Sequence, residues 1–334
     1  MPQNLSQGVT HADPTPSWIG ALGLAIAVGI AYFFAARLGL ALQPDGVAVF
    51  WPAAGVSGIL IALGRDARLP VVGGVIAASI VANLMGDRNI WSTIAFAFCN
   101  ASEAVLIAGL IQRYFGSPFN LDRLRNVVGL VAAAVIATAV AGSGGTVAYK
   151  LFHAPTAPLW TTWHHWFASD VVGIITVAPM VIGLADAVRE PPPRGEIVEG
   201  IGMLAALSAM TVIIVFLPPE PWQTVRPIGL LFPTLAWLAV RCRPPFAAAA
   251  AFIVSLAIIW TITFGTRHFR ILALPIDDRV TAGQAAILIV ALSAYFLAAL
   301  FAERRQHVRM LKEGQALLQE RWRPGRCWPS SAIL

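Results

Sequence analysis

Polar positions in this chain are sparse and clustered, and the stretches between the clusters are long and apolar. Ten such stretches can be drawn, over residues 18–41, 47–64, 69–85, 90–114, 124–152, 160–187, 198–217, 225–240, 244–265 and 281–302. Most approach the ~20 residues that a helix needs to cross a hydrocarbon core. Alternation at period two is absent, which argues against the strands of a membrane barrel. The pattern predicts an all-α, polytopic bundle of about ten membrane helices. Segments two, three and eight are short enough to be tilted, re-entrant or buried among neighbours, so the expected count runs from about eight to ten. Breakers mark the joins, among them Arg65-Asp66, Gly116-Ser117-Pro118, Pro191-Pro192-Pro193 and Pro218-Pro219.

Composition agrees. Of the 334 residues, 57% are hydrophobic and 12% charged, and the mean hydropathy is +0.72. A water-facing shell needs about twice that share of charge, so most of the surface is expected to meet lipid. A bilayer is thus the first partner. Residues 1–17 are polar and hold Pro14 and Pro16, and they are expected to form a disordered tail. The first apolar run is too long for a signal-peptide core and no Lys or Arg precedes it, so it is expected to remain as a helix.

The net charge of +6 raises the question of nucleic acid. The arginines stand singly or in pairs between apolar runs and form no basic face, so the excess is read as a topology signal and nucleic acid is not expected as a partner. One alternate set of loops holds Arg65 and Arg68, then Arg113, Arg123 and Arg125, then Arg189 and Arg194, then Arg241 and Arg243. The other set holds Arg88, Lys150 and Arg226 one at a time, with Arg267, Arg270 and Arg279 in the longest loop. Arg304 and Arg305 follow the last segment in phase with the richer set. Both termini are therefore expected in the cytoplasm.

Beyond Phe301 the last helix is expected to run on into water. Val308, Leu311, Gln315, Leu318 and Trp322 recur at 3-4-3-4 spacing. Two heptads are too few for an independent coiled coil, which leaves a surface-lying helix and a dimerising signalling helix, hence a homodimer, as alternatives. The expected organisation is a tail over 1–17, a transmembrane domain over 18–302, and a cytoplasmic helix with a tail over 303–334.

Polar groups inside a bilayer are costly, so each needs a partner or a task. Segment two opens with Phe50-Trp51-Pro52-Ala53-Ala54-Gly55; Pro52 suits a first helical turn and Trp51 suits the headgroup interface. Segment four carries Asn100 and Glu103 on one face, either as a helix–helix hydrogen bond or as a ligand or ion site. In segment six, Trp163, Trp166, Asp170 and Gly173 share a face, with Pro179 further on. Interface aromatics with one buried Asp is one account; a membrane-level pocket with Asp170 and Glu103 as its polar groups is the other. Pro233 in segment eight is expected to kink its helix.

Several chemistries are disfavoured. His164 and His165 are adjacent and cannot face the same way on a helix, so no metal clamp is expected. Ser169 neighbours Asp170 without a nucleophile elbow, so no catalytic triad is expected. Cys99, Cys242 and Cys327 have neither metal-like nor redox spacing. Gly142-Ser143-Gly144-Gly145 lies in an apolar helix, where small residues permit close packing and do not cradle phosphate. No cofactor is implied.

The ordered set FWPAAG, N-x-x-E in CNASEA, W-x-x-x-D-x-x-G in WFASDVVG, Pro179 and FPTLAWLAVR resembles the first family of bacterial membrane-associated sensor domains, the MASE type, over roughly residues 20–302. That resemblance implies a membrane input module feeding a cytoplasmic histidine kinase or cyclic-di-GMP output domain. It marks Trp51, Pro52, Asn100, Glu103, Trp166, Asp170 and Pro179 as its motif residues. Ala53 stands where a second proline is common, and Ser169 where glycine commonly precedes the aspartate.

Members of that family usually continue into PAS or catalytic modules. If GC-rich codons are assumed for Glu320 to Ser331, the frame shifted to the third base reads Ala-Leu-Ala-Ala-Gly-Ala-Val-Leu-Ala-Phe-Glu, like the opening of a PAS-type module. The expectation is a frameshift near codon 320 in a longer sensor, with an ordinary disordered tail as the alternative. The function expected is a sensory input module without catalysis, its kinase or cyclase output separate or lost. A small-molecule transporter is the alternative; it would favour repeated halves, and the residues carry no convincing repeat.

Overall fold

A computed structural model describes residues 18–43, 48–86, 88–153, 158–216, 227–264 and 275–321. Among these residues there are ten α-helices and no strand. They are α1 (Trp18–Ala41), α2 (Ser57–Leu63), α3 (Arg68–Leu84), α4 (Ile90–Tyr114), α5 (Leu124–His153), α6 (Leu159–Arg189), α7 (Arg194–Phe216), α8 (Phe232–Arg241), α9 (Pro244–Phe264) and α10 (Ile276–Arg321). Each apolar segment has become one helix. The N-terminal tail, the breakers Pro218-Pro219, the loop arginines Arg226, Arg267 and Arg270, Trp322 and the proposed frameshifted end lie outside the described residues.

Eight of the described helices are long and apolar enough to cross a membrane. The third, expected among the short ones, is one of them: with its leading turn it covers Arg65–Leu84. The two short elements are Pro52–Leu63 and Gly229–Arg241. Each is a tight 3₁₀ turn, Pro52–Val56 or Pro227–Leu231, that continues directly into α2 or α8. The expected kink at Pro233 does not arise. Pro233 sits in the first turn of α8, where the missing N–H breaks no helical bond.

The arginine-rich loops meet at one end of the bundle. Arg68 donates to Gln112 at 2.6 Å and Gln112 to the Leu60 carbonyl at 3.1 Å. Arg189 donates to the Ala62 carbonyl. Arg243 donates to the Glu190 carbonyl at 2.9 Å, and Arg305 reaches the carbonyls of Val240 at 2.6 Å and Cys242 at 3.1 Å. Glu303 accepts from the Leu124 N–H at 2.9 Å. The first turns of α5 and α9, the last turns of α2, α4, α6 and α8, and the middle of α10 thus share one level. Among the described residues, this end gathers arginines of the richer set of loops.

Close packing relies on small residues, as expected where lipid gives helices no hydrophobic reason to associate. Gly29 of α1 faces Gly74 of α3 backbone to backbone. Ala247, Ala248, Ala250 and Ala251 of α9 and Ala291, Ala294, Ala298 and Ala299 of α10 are all buried. The outer faces of α1 and α7 carry Ile26, Ile30, Phe34, Ile201, Val212 and Ile213 exposed, where lipid would cover them. α6 is central, packing on α2 and its leading turn, α5, α9 and α10.

The helix order repeats where the residues do not. A long helix, a short one after a 3₁₀ turn, and two long ones make up α1–α4, and the same series makes up α7–α10. In each quartet the first helix packs on the third, the third on the fourth, and the short one on the fourth. Both quartets start at the arginine-rich end, so the repetition is parallel.

Candidate functional site

At the end opposite the arginines, the bundle encloses a cavity of about 420 Å³, within the range of small-molecule sites. Its walls come from α3, α4, α5, α6, the start of α10 and the segment 48–51, and include Trp51, Asn83, Phe96, Asn100, Trp166 and Asp170.

The segment before α2 shapes the cavity because it descends into the bundle without being helical. The Trp51 N–H donates to the Ser169 carbonyl at 3.0 Å, and Ser169 lies about 15 Å along α6 from its start. Such irregular backbone is tolerated at membrane depth only where it lines a cavity or is buried in protein. Gln284 of α10 holds the same segment, donating to the carbonyls of Ala48 at 3.3 Å and Val49 at 3.0 Å. Glycine makes room: a Cβ on Gly173 would run into the Trp51 carbonyl, and one on Gly39 would come within 2.8 Å of the Trp51 ring. Trp51, expected at the headgroup interface, is half-buried in the cavity wall, and Pro52 starts the turn beneath it.

The glycines of α5 act as expected, in packing. A Cβ on Gly145 would come within 2.6 Å of the Trp166 ring. Trp163 donates to Ser143 at 3.2 Å. Trp166 in turn meets Phe96 of α4 edge to face, with centroids 5.0 Å apart. Toward the mouth, Arg88 stands 5.5 Å over the Phe96 ring, and burial pushes its guanidinium below its ordinary value. His153 stacks on Tyr149 at 4.9 Å and shares a 2.9 Å hydrogen bond with Ser92. His165 faces Asp277 of α10 at 3.5 Å.

The floor is polar and incompletely paired. Asn83 donates to the Ser79 carbonyl at 2.8 Å, and Asn100 to the Ser79 hydroxyl at 3.3 Å. Ser169 donates to the Trp166 carbonyl at 3.0 Å and lies 3.5 Å from Asp170 Oδ1. Asp170 Oδ2 has no partner, and it is 3% exposed. The indole N–H of Trp166 is turned toward that carboxyl without making a hydrogen bond. Glu103, one turn beyond Asn100, is 2% exposed with Oε1 unpartnered, although Thr138 faces it. Asp170 and Glu103 lie within each other's field, and among the described residues no basic group forms an ion pair with either.

All five candidate residues thus converge: Trp51, Asn100, Trp166 and Asp170 line the cavity, and Glu103 lies behind its floor. Of the prolines, Pro52 and Pro233 open short helices, and Pro179 is buried inside α6. The histidine pair divides as expected, with His165 in the cavity wall. Sequence reading passed over Ser79, Phe96, Tyr149, Gln284 and Tyr295. Gln284 and Tyr295 did carry a signal, since each is an isolated hydrogen-bonding group in an apolar run. Phe96 and Tyr149 carried none, because Phe and Tyr serve equally well against lipid.

The family model MASE1 matches residues 21–305. No curated protein and no solved structure matches the chain.

Proposed function

The chain belongs to the MASE1 family of membrane sensor domains, and from that premise we propose that it is the sensory input module of a bacterial signalling system. In this reading a stimulus acts in the cavity beside Trp51, Trp166 and Asp170, and the response leaves along α10. One observation carries it. The segment that forms part of the cavity wall hangs by its carbonyls from Gln284 of α10, and α10 runs unbroken to Arg321. Anything that shifts residues 48–51 therefore bears directly on the helix that leads to the output.

The rest follows the same direction. The arginine-rich end faces the cytoplasm of the inner membrane, by the positive-inside bias, so the cavity opens outward and both termini lie inside. The output is a kinase or cyclase domain, attached or separate. Val308, Leu311 and Leu318 on the extension of α10 are exposed and offer a seam for a homodimer. The module is not catalytic. A transporter is the second reading, favoured by the repeated helix order and the two broken segments; flux of solute into proteoliposomes separates the two.

The direct test fuses the chain in frame to a kinase and reads basal output at equal membrane insertion. Asp170→Asn and Gln284→Leu are each expected to move that output by about threefold or more, a modest shift of a two-state equilibrium. Wild-type output from both inserted variants would refute the route.

A further inference from the structure

The chemistry of the cavity specifies a class of occupant. Asp170 is among its lining residues; its Oδ2 is buried without a hydrogen-bond partner, and the carboxyl of Glu103 lies within its field. The lining also includes the rings of Trp51, Phe96 and Trp166. Carboxylate below and aromatic faces around is the arrangement that holds an ammonium group, which needs an anion to pair with and π-faces to replace its hydration.

Other classes fit less well. An anion would be repelled by an ionised carboxyl, and Arg88 at the mouth already stands over Phe96 at 5.5 Å. That contact also shows the ring accepting a cation. A divalent metal ion wants several hard ligands, and among the described residues no three His, Cys, Asp or Glu side chains converge. A neutral solute brings no charge for Asp170 to pair with, so it gains nothing from a carboxylate at that place. A quaternary ammonium would satisfy the rings but offer no N–H to Asp170 Oδ2.

We infer that the cavity binds a small organic ammonium ion carrying at least one N–H, seated on Asp170 between the rings of Trp51, Phe96 and Trp166. This rests on the reading of the cavity as the input site. An N–H donor completes the hydrogen bonding of Oδ2, and the positive charge pairs with the single carboxylate that two buried carboxyl groups in each other's field can sustain. It enters from the side away from the arginine-rich end, past Arg88 and the His165–Asp277 pair.

The test uses the full chain in lipid nanodiscs near neutral pH, with binding followed by calorimetry. The probes are methylammonium, isobutylammonium and benzylammonium, set against benzyl alcohol, benzoate and benzyltrimethylammonium. At least one N–H ammonium probe is expected to bind saturably, and about tenfold or more tighter than each of the three comparison compounds. Asp170→Asn is expected to abolish that binding and Phe96→Leu to weaken it severalfold. The comparison among probes on the wild-type protein stands even if a variant fails to fold. Absence of binding by all three ammonium probes, equal binding of benzyl alcohol or benzoate, or unchanged affinity in folded Asp170→Asn would overturn the assignment. The kinase fusion separates the two ideas. If ammonium binds through Asp170 while fusion output never moves, the site chemistry stands and the input reading falls. If Asp170→Asn moves the output but no ammonium probe binds, the reverse holds.

Discussion

The hydroxyl of Tyr295 on α10 donates at 2.9 Å to the carbonyl of Ile175 on α6. Ile175 is the residue four before Pro179, which has no N–H to return to that carbonyl. The proline thus frees an acceptor in the middle of the central helix, and the helix leading out of the bundle takes it. Tyr295 is buried, so the bond is sheltered from water. Tyr295→Phe should leave the Ile175 carbonyl orphaned and cost about 1–3 kcal/mol. Pro179→Ala restores a local N–H for the same carbonyl. The double variant should therefore lose less stability than the two single losses added together. Thermal unfolding of the four proteins in one detergent measures this, and strict additivity would show that the two residues do not share the carbonyl.

The contact between α6 and the segment before α2 depends on a missing side chain. A Cβ at Gly173 would strike the backbone carbonyl of Trp51, and backbone cannot swing away as a side chain can. Gly173→Ala should destabilise by about 3 kcal/mol or prevent assembly, at the upper end of overpacking costs. Gly202→Ala in α7, with nothing within 4 Å, should be neutral or stabilise by up to about 1 kcal/mol. Comparable unfolding temperatures for the two variants would contradict the close approach.

These relationships also show what the sequence could and could not reveal. Most helix positions were legible because prolines, glycines and arginines that lipid or helix geometry rejects mark the joins. Asn100, Glu103 and Asp170 were legible because a polar group in a long apolar run is expensive enough to need a reason. The place of Trp51 in the cavity wall was not, since tryptophan serves equally at an interface and in a wall, and the Gly39 and Gly173 contacts that set it are not visible in sequence. The inward course of residues 48–51 was hidden for a related reason. An apolar stretch containing a proline reads as a helix until a partner such as Gln284 takes up its carbonyls. The repeat was invisible because helix lengths repeat while residues do not.

Cys242 lies between α8 and α9 at the arginine-rich end and is fully buried. Burial first, and then the charges of Glu199 and Glu196, push its thiol up to about 11. Only the thiolate reacts with a maleimide. In a Cys99→Ser, Cys327→Ser background, the labelling rate should rise about tenfold per pH unit between pH 7 and 9 without levelling off. A plateau near pH 8.5 would mean an ordinary, solvated thiol and a looser arginine-rich end.

Which end faces the cytoplasm decides whether the cavity samples the outside, and two exposed residues can report it. Leu151, 72% exposed, lies in the last turn of α5 at the cavity end, and Tyr114, 65% exposed, ends α4 at the arginine-rich end. In a background with Cys99, Cys242 and Cys327 replaced by serine, Leu151→Cys should label in intact spheroplasts with a membrane-impermeant maleimide. Tyr114→Cys should label only after lysis. The expectation follows from the arginines gathered around Tyr114, which the positive-inside bias holds on the cytoplasmic side. The opposite pattern would turn the bundle over and place the cavity mouth in the cytoplasm. The ammonium site would then answer to internal solutes, and the extension of α10 could not reach a cytoplasmic output.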